Sequence, residues 1–557
     1  MTASGQPPSD GGATLIGRIA ERLLRLPATP AVPFGVVRDL RAPMPDGVVL
    51  TADVYRPRGT GAVPGPALPV VLMRTPYGKQ QAVIRLFAVL LARRGFQVVV
   101  QNVRGVHGSG GEFRAFHHEK DDGLATLKWL RAQPWCDGRV AMVGASYLGF
   151  TEWAVAPYAD PPLAAMGVGI TASEFVSSFY PGGALALHNT LVWSSSMGTR
   201  DGTKLTFHDR RVRRAMRHLP VGEADEAAIG RAEPFLREVT AHAEAGDDFW
   251  KATDHSAAVP ETTTPTTMVT GWWDLFLRRQ LRDFAALHAA GRQVRITIGP
   301  WGHDAKALRA TLHDQISWLD AHLNGDKAQL RQAPVRLHLQ KAGRWLDFDQ
   351  WPPPETRPTP LFLGRTLSWD APSDIGDPGA LGDVEPATFT YDPLDPTPTV
   401  GGPLLSPGRG GQRDNTRIER RSDVVVLSSA PLTRNLDLIG PVSATVFVQM
   451  STGHGDLFVR LCDVGPDGVS RNVTDGILRI RTPGVVRAEI EMHPTAYRFL
   501  RGHRLRVMLA GGAFPRFARN HGTGEPAAQA VASRRVHVEV FRDAARPSAV
   551  HLPVWDA

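Results

Sequence analysis

Only two of the 557 residues are cysteine, Cys136 and Cys462, and they stand far apart. A disulfide framework is excluded, and no Cys/His cluster has zinc-ligand spacing. So few thiols suit a reducing compartment. Long apolar runs are also missing. None reaches the ~18 residues of a membrane span, and the N-terminus lacks the unbroken apolar core of a signal peptide. The expected location is therefore the cytoplasm, with no membrane partner. Near the N-terminus Leu15, Ile19, Leu23 and Leu26 recur at helical spacing, with Arg18, Glu21, Arg22 and Arg25 between them. This predicts a short amphipathic helix whose apolar stripe docks onto the protein body.

Acidic residues fall short of basic ones, 55 against 63, for a net charge of +8. The arginines are spread along the chain rather than set in a phosphate-tracking stripe, so no nucleic-acid partner is expected. Their densest cluster, Arg210, Arg211, Arg213, Arg214 and Arg217, fits a solvated helix face. The 42% hydrophobic and 21% charged residues are those of an ordinary globular protein. The length is too great for one core, since cores stop growing near about 250–300 residues.

Apolar runs at Pro69–Met73, Phe96–Val100, Val140–Val143, Ala164–Ile170, Thr267–Val269 and Val294–Ile298 end in turn residues and suit strands buried on both faces. Asp46-Gly47 between apolar flanks predicts a hairpin over Phe34–Tyr55. Helical stripes lie between the runs: Leu124, Leu127 and Leu130; Leu277, Leu281, Phe284 and His288, with Gly291 as a stop; and Leu308 to Leu323, closed by Asn324-Gly325. Alternation of strand and helix predicts a doubly wound α/β domain over residues 30–171 and 263–350. The strand rhythm stops over 172–262, which predicts an inserted helical cap containing patterns such as Ala224–Ala245. A proline-rich linker is expected around Trp351–Pro360. Short strands between turns then predict an all-β jelly roll over 358–557.

Three strand ends carry the residue types of nucleophilic catalysis. Val140–Val143 runs into Gly144-Ala-Ser146-Tyr-Leu-Gly149, a tight turn followed by a helical pattern. This is the setting of a nucleophile elbow, which lifts a serine hydroxyl clear of a sheet. The usual pattern has glycine two places after the serine, where this chain has Leu148. A serine needs a base, and the base needs an orienting carboxylate. Asp274 follows the run Met268–Trp273, and His303 follows Ile296–Gly302. The order serine, acid, histidine on three strand ends is that of an α/β-hydrolase. Singly, Asp274 reads better as a helix cap and His303 as one of 19 histidines; together they predict a triad.

With these motifs in view, the chain resembles the cocaine esterase and X-Pro dipeptidyl-peptidase-like hydrolases. Gly144 to Gly149 fits that family's Gly-x-Ser-Tyr-x-Gly at every fixed position, so Leu148 is no departure from it. Arg74-Thr-Pro-Tyr77-Gly-Lys, Arg104 to Phe113, Gln133 to Arg139, Gly271-Trp-Trp-Asp274, Gly299-Pro-Trp-Gly-His303, Leu461 to Gly468 and Phe514 to Asn520 also look like family segments. The resemblance implies an α/β-hydrolase domain with an inserted cap and a C-terminal jelly roll that helps wall the site. It implies Ser146, Asp274 and His303 as catalytic residues, with the Tyr77 hydroxyl and the Tyr147 backbone N–H as oxyanion donors. Phe276, Trp273, Trp193 and Phe179, with Tyr180, are the candidates for a substrate pocket. Roles for Arg104 and His107 are left open.

The expected activity is serine hydrolysis of an ester or amide of a small acyl substrate. No cofactor or metal is required, and a homo-oligomer is compatible with the family. Three alternatives stay open: removal of a dipeptide from an X-Pro N-terminus, acyl transfer by the same triad, and a carbohydrate-binding role for the jelly roll.

Overall fold

A computed structural model describes residues 11–27, 31–57, 66–198, 210–244, 246–371, 384–406 and 408–556; in the first helix, side chains are described from residue 17 onward. The apolar runs become strands of one ten-stranded sheet. These are β1 (Phe34–Pro43), β2 (Val49–Pro57), β3 (Leu68–Thr75), β4 (Gln97–Asn102), β5 (Cys136–Ala145), β6 (Ala165–Gly169), β7 (Thr266–Trp273), β8 (Val294–Gly302), β9 (Val335–Leu339) and β10 (Arg344–Phe348). Their order is β1-β2-β4-β3-β5-β6-β7-β8-β9-β10. From β4 to β9 the pairing is parallel, and β1, β2 and β10 add antiparallel edges. Every residue of β4, β6 and β7 is buried, because helices cover both faces of the sheet.

The helices are α1 (Gly11–Leu24), α2 (Ala82–Ala92), α3 (Glu119–Arg131), α4 (Tyr147–Trp153), α5 (Val176–Phe179), α6 (Leu187–Met197), α7 (Arg210–Ala215), α8 (Ala224–Ile229), α9 (Pro234–Ala241), α10 (Asp248–Lys251), α11 (Leu277–Ala289) and α12 (Ala305–Leu319). Helices α5 to α10 form the insertion between β6 and β7, where the strand rhythm is lost. Its aromatic core closes over the C-terminal end of the sheet. Helix α7 buries Val212 and Ala215 and turns Arg210, Arg211 and Arg214 outward, the solvated face expected of that arginine cluster. Gly291 takes a left-handed φ of 68° just beyond α11 and ends it as a C-terminal glycine.

Two features differ from the sequence expectation. Helix α1 docks on α2, with Ala20 and Leu26 buried and Glu21 paired to Arg93 at 3.0 Å. However, Ile19 and Leu23 of the expected stripe point outward; Leu15 lies outside the described side chains. Strands β9 and β10 break their apolar pattern with Arg336, His338, Arg344 and Asp347, as suits a half-exposed sheet edge.

Beyond the sheet, a nine-stranded and a four-stranded antiparallel sheet enclose a second core. Its first strand, Thr356–Leu363, begins within the expected proline-rich linker and runs beyond it. Pro358 and Pro360 are tolerated because residues 356–361 pair on one side only, with Ala549–Trp555. Cys136 and Cys462 are buried free thiols. Among the described residues, no helix is long and apolar enough to cross a membrane.

Candidate active site

Ser146 sits between β5 and α4 with φ 57° and ψ −125°, a conformation that side chains other than glycine rarely adopt. Its backbone is held from both sides. Its N–H donates to the Gly169 carbonyl at 2.9 Å, and its carbonyl accepts from Thr171 Oγ1 at 2.7 Å and from the Phe150 N–H at 3.0 Å. The turn is tight enough that a side chain at 144 would overlap Leu148, and one at 149 would overlap Thr171. Glycine at these two places is what lets the serine stand at the sheet's C-terminal edge.

His303 Nε2 lies 3.1 Å from Ser146 Oγ, and its Nδ1 lies 2.8 Å from Asp274 Oδ2. Asp274 is fully buried, and its other oxygen accepts from the Phe276 N–H at 2.8 Å. The chain turns just after β7, where the Asp274 N–H donates to the Gly271 carbonyl at 2.9 Å. After β8, Asp304 caps α12 by accepting from the N–H groups of Lys306 and Ala307. These local devices bring together three residues separated by up to 157 positions in sequence.

Tyr77 follows β3 and faces the same point. Its phenol oxygen accepts from Trp193 Nε1 at 3.1 Å. Burial pushes the phenol above its ordinary value, opposed in part by hydrogen bonds with Trp193 and Ser146. The Tyr147 N–H opens α4, where first-turn amides have no acceptor inside the helix. The Tyr147 side chain points away from the serine and enters a buried network. Its hydroxyl donates to Glu119 Oε1 at 2.7 Å and accepts from the Phe116 N–H at 2.9 Å, while Glu119 pairs with Arg74 at 2.8 Å.

The glycine-rich run after β4 braces this arrangement. Arg104 bridges Asp122 of α3 at 2.6 Å and Asp46 of the β1–β2 turn at 2.7 Å. The His107 ring packs on Gly78, where a Cβ would lie 3.1 Å from it; Gly78 has a φ of 95°. Of the two residues that sequence alone left without a role, His107 braces the turn that carries Tyr77, and Arg104 ties the glycine-rich run to α3 and to the β1–β2 turn.

A cavity of about 330 Å3 opens at Ser146, within the size range of small-ligand pockets. Phe276, Trp193 and Phe179 line it, as expected. Trp273 does not. The turn after Asp274 brings Leu275 and Phe276 to the cavity, while Trp273, still in β7 with its backbone paired to Gly302, keeps its ring in the hydrophobic core beside Gly411. Tyr180 is also absent from the wall; it is buried in the cap, with its hydroxyl on the Val239 carbonyl at 2.8 Å. Several lining residues were not foreseen. Phe116 stacks on Tyr147 at 4.6 Å between ring centroids, and Phe175 on Phe276 at 4.2 Å. Leu405 arrives from the C-terminal domain, its N–H donating to Asn189 Oδ1 at 2.8 Å. Met73, Ile84 and Leu308 form an aliphatic wall beneath α2 and α12.

The family described as X-Pro dipeptidyl-peptidase (S15 family) matches residues 46–305, and the X-Pro dipeptidyl-peptidase C-terminal non-catalytic domain matches 328–551. The cocaine esterase of Rhodococcus sp. (strain MB1 Bresler) is 31% identical over 584 residues, covering 94% of this chain and 99% of the relative. The chain belongs to the cocaine esterase and X-Pro dipeptidyl-peptidase-like family of serine hydrolases.

Family membership makes it an enzyme that hydrolyses ester or amide bonds. Solved structures share the fold across nearly the whole chain. An α-amino acid ester hydrolase and an aminopeptidase from a marine sediment Thaumarchaeota archaeon each superpose with a TM-score of 0.79 at 22% identity, covering 95% of this chain and 98% of theirs. A CocE/NonD family hydrolase from Staphylococcus aureus gives 0.66 at 17% identity, covering 94% of each.

Proposed function

We propose that this hydrolase cleaves carboxylic esters of small acyl substrates through an acyl-enzyme on Ser146. The observation that carries the proposal is the continuous relay from Asp274 Oδ2 through His303 to Ser146 Oγ, with steps of 2.8 and 3.1 Å, at the mouth of an apolar cavity. Ser146 Oγ attacks the acyl carbonyl while His303 Nε2 takes its proton. Asp274 holds the imidazole with Nδ1–H toward itself and stabilises the imidazolium. The Tyr147 N–H and the Tyr77 hydroxyl receive the oxyanion. His303 returns its proton to the leaving group, and water then releases the acid by the same steps.

An ester is preferred to an X-Pro peptide because a peptide N-terminus requires carboxylates to meet its ammonium. Asp304 is the one acidic residue in the described wall, and its Oδ1 is occupied by the first turn of α12. The test is turnover of a series of p-nitrophenyl esters beside Ala-Pro-p-nitroanilide, by wild type and Ser146→Ala. Ester hydrolysis that vanishes in the variant, with slow anilide cleavage, is the expected result. Faster cleavage of the anilide would establish the peptidase activity instead.

A further inference from the structure

A second cavity of about 30 Å3 lies against the first, with Ser178, Asn189 and Leu275 as shared wall. It has room for about two waters or one carboxylate. Where the first cavity is apolar, this annex is walled by Arg278 of α11 and by Asp475, His493 and Arg516 of the C-terminal domain.

Its charges do not cancel. Asp475 is already matched, accepting from Arg460 Nη2 at 2.8 Å and from Arg516 Nη1 at 2.7 Å. Two guanidiniums, those of Arg460 and Arg516, therefore share one buried carboxylate, and Arg278 lies on the same annex wall. The other carboxylate nearby, Glu491, is half-exposed. It stands 3.6 Å from Arg278 Nη1 and pairs with Arg282 at 2.7 Å. Arg278 Nη1 donates to the Glu491 carbonyl at 3.2 Å, while its Nε and Nη2 have no hydrogen-bond partner among the described residues. His493 is 8% exposed, and its Nδ1 has no partner. Burial, then the guanidiniums of Arg278 and Arg516, hold the imidazole neutral, so that it can offer one N–H. The Arg278 side chain is 17% exposed and only partly engaged by Glu491, while the unpartnered His493 Nδ1 is buried; an anionic oxygen group on this wall would give both a partner.

We propose that this annex receives a carboxylate of the substrate, so that the enzyme takes esters bearing an anionic group at a set reach from the scissile carbonyl. The proposal rests on the serine-hydrolase mechanism above.

Two matched ester series test it. One carries the carboxylate on the acyl side (p-nitrophenyl hemisuccinate to hemisuberate), the other on the alcohol side (butyrate esters of ω-hydroxy acids). Each is compared with its neutral methyl-capped counterpart. In Arg278→Gln the charged-to-neutral ratio of kcat/KM is expected to fall about tenfold in at least one series, through KM, with Arg278→Lys keeping part of the preference. An unchanged ratio in both series, or equal losses on charged and neutral esters, would overturn the proposal. So would a response of the neutral ester to sodium acetate that Arg278→Gln abolishes without any preference for charged esters, since the site would then serve a free anion. Ester hydrolysis that survives in Ser146→Ala would instead show that the mechanism, and not the annex, is at fault.

Discussion

Trp193 Nε1 donates to Tyr77 Oη at 3.1 Å, joining the cap to the turn after β3. The indole can only donate, so it engages a lone pair of the phenol oxygen and leaves the phenol O–H to be given elsewhere. That geometry suits Tyr77 as an oxyanion donor and makes Trp193 the residue that aims it. Tyr77→Phe is expected to lower kcat by about 10²–10³, the usual cost of one oxyanion donor. Trp193→Phe keeps an aromatic side chain but loses the N–H and one ring of the indole, and it should lower kcat by about tenfold with a smaller change in KM. Steady-state kinetics on one p-nitrophenyl ester separates the two. Equal kcat in Tyr77→Phe and wild type would remove Tyr77 from the mechanism.

The serine turn predicts a steric effect. A Cβ at 144 would overlap Leu148 and the backbone of the turn. Gly144→Ala should therefore cost about 1–3 kcal/mol of stability, as overpacking does, and should reduce kcat by displacing Ser146. Thermal unfolding and ester turnover check both parts; an unperturbed melting temperature with full activity would show that the turn has slack.

Leu405 predicts a role for the C-terminal domain in substrate binding. Leu405→Ala keeps the backbone hydrogen bond to Asn189 and removes apolar wall. At about 0.8 kcal/mol per methylene, losing contact worth one or two of its three removed carbons should raise KM for apolar esters about four- to fifteenfold, with kcat little changed. No change in KM would show that Leu405 stands outside the substrate's path.

Glu233 predicts a pH effect on the cap. It caps α9, accepting from the Leu236 N–H at 2.9 Å, yet burial raises its carboxyl to about 7. The folded state thus holds this proton more tightly than the unfolded chain. The stability it contributes is complete below about 4.5 and is lost as the pH rises to about 7, a span worth at most about 3 kcal/mol. Glu233→Gln keeps the cap without the charge. Its melting temperature should match wild type near pH 4.5 and exceed it at pH 8; parallel curves at all pH values would contradict this.

Much of this was legible in sequence because the strongest signals were local. Buried parallel strands read as unbroken apolar runs, and the residues just past three of them are Ser146, Asp274 and His303. The signals failed where position depends on distant partners. Strands β9 and β10 carry charges because they lie at a half-exposed edge. Trp273 was expected in the pocket from its place beside Asp274, but it still belongs to β7 and packs in the sheet core, and only the residues after the turn reach the cavity. Leu405 sits in a glycine-rich loop 216 residues from Asn189, which anchors it, and no local pattern announces such a contact. Ile19 and Leu23 followed helical spacing correctly and yet face outward, because Ala20 and Leu26 fit against α2 instead.

The central claim is that the acyl group passes through Ser146. Acid-quenched mass spectrometry during turnover of a slowly deacylating p-nitrophenyl ester tests it directly. The mechanism predicts one acyl adduct, on the peptide containing Ser146, absent from Ser146→Ala together with all ester hydrolysis. An adduct on another residue, or hydrolysis by Ser146→Ala at the wild-type rate, would contradict it.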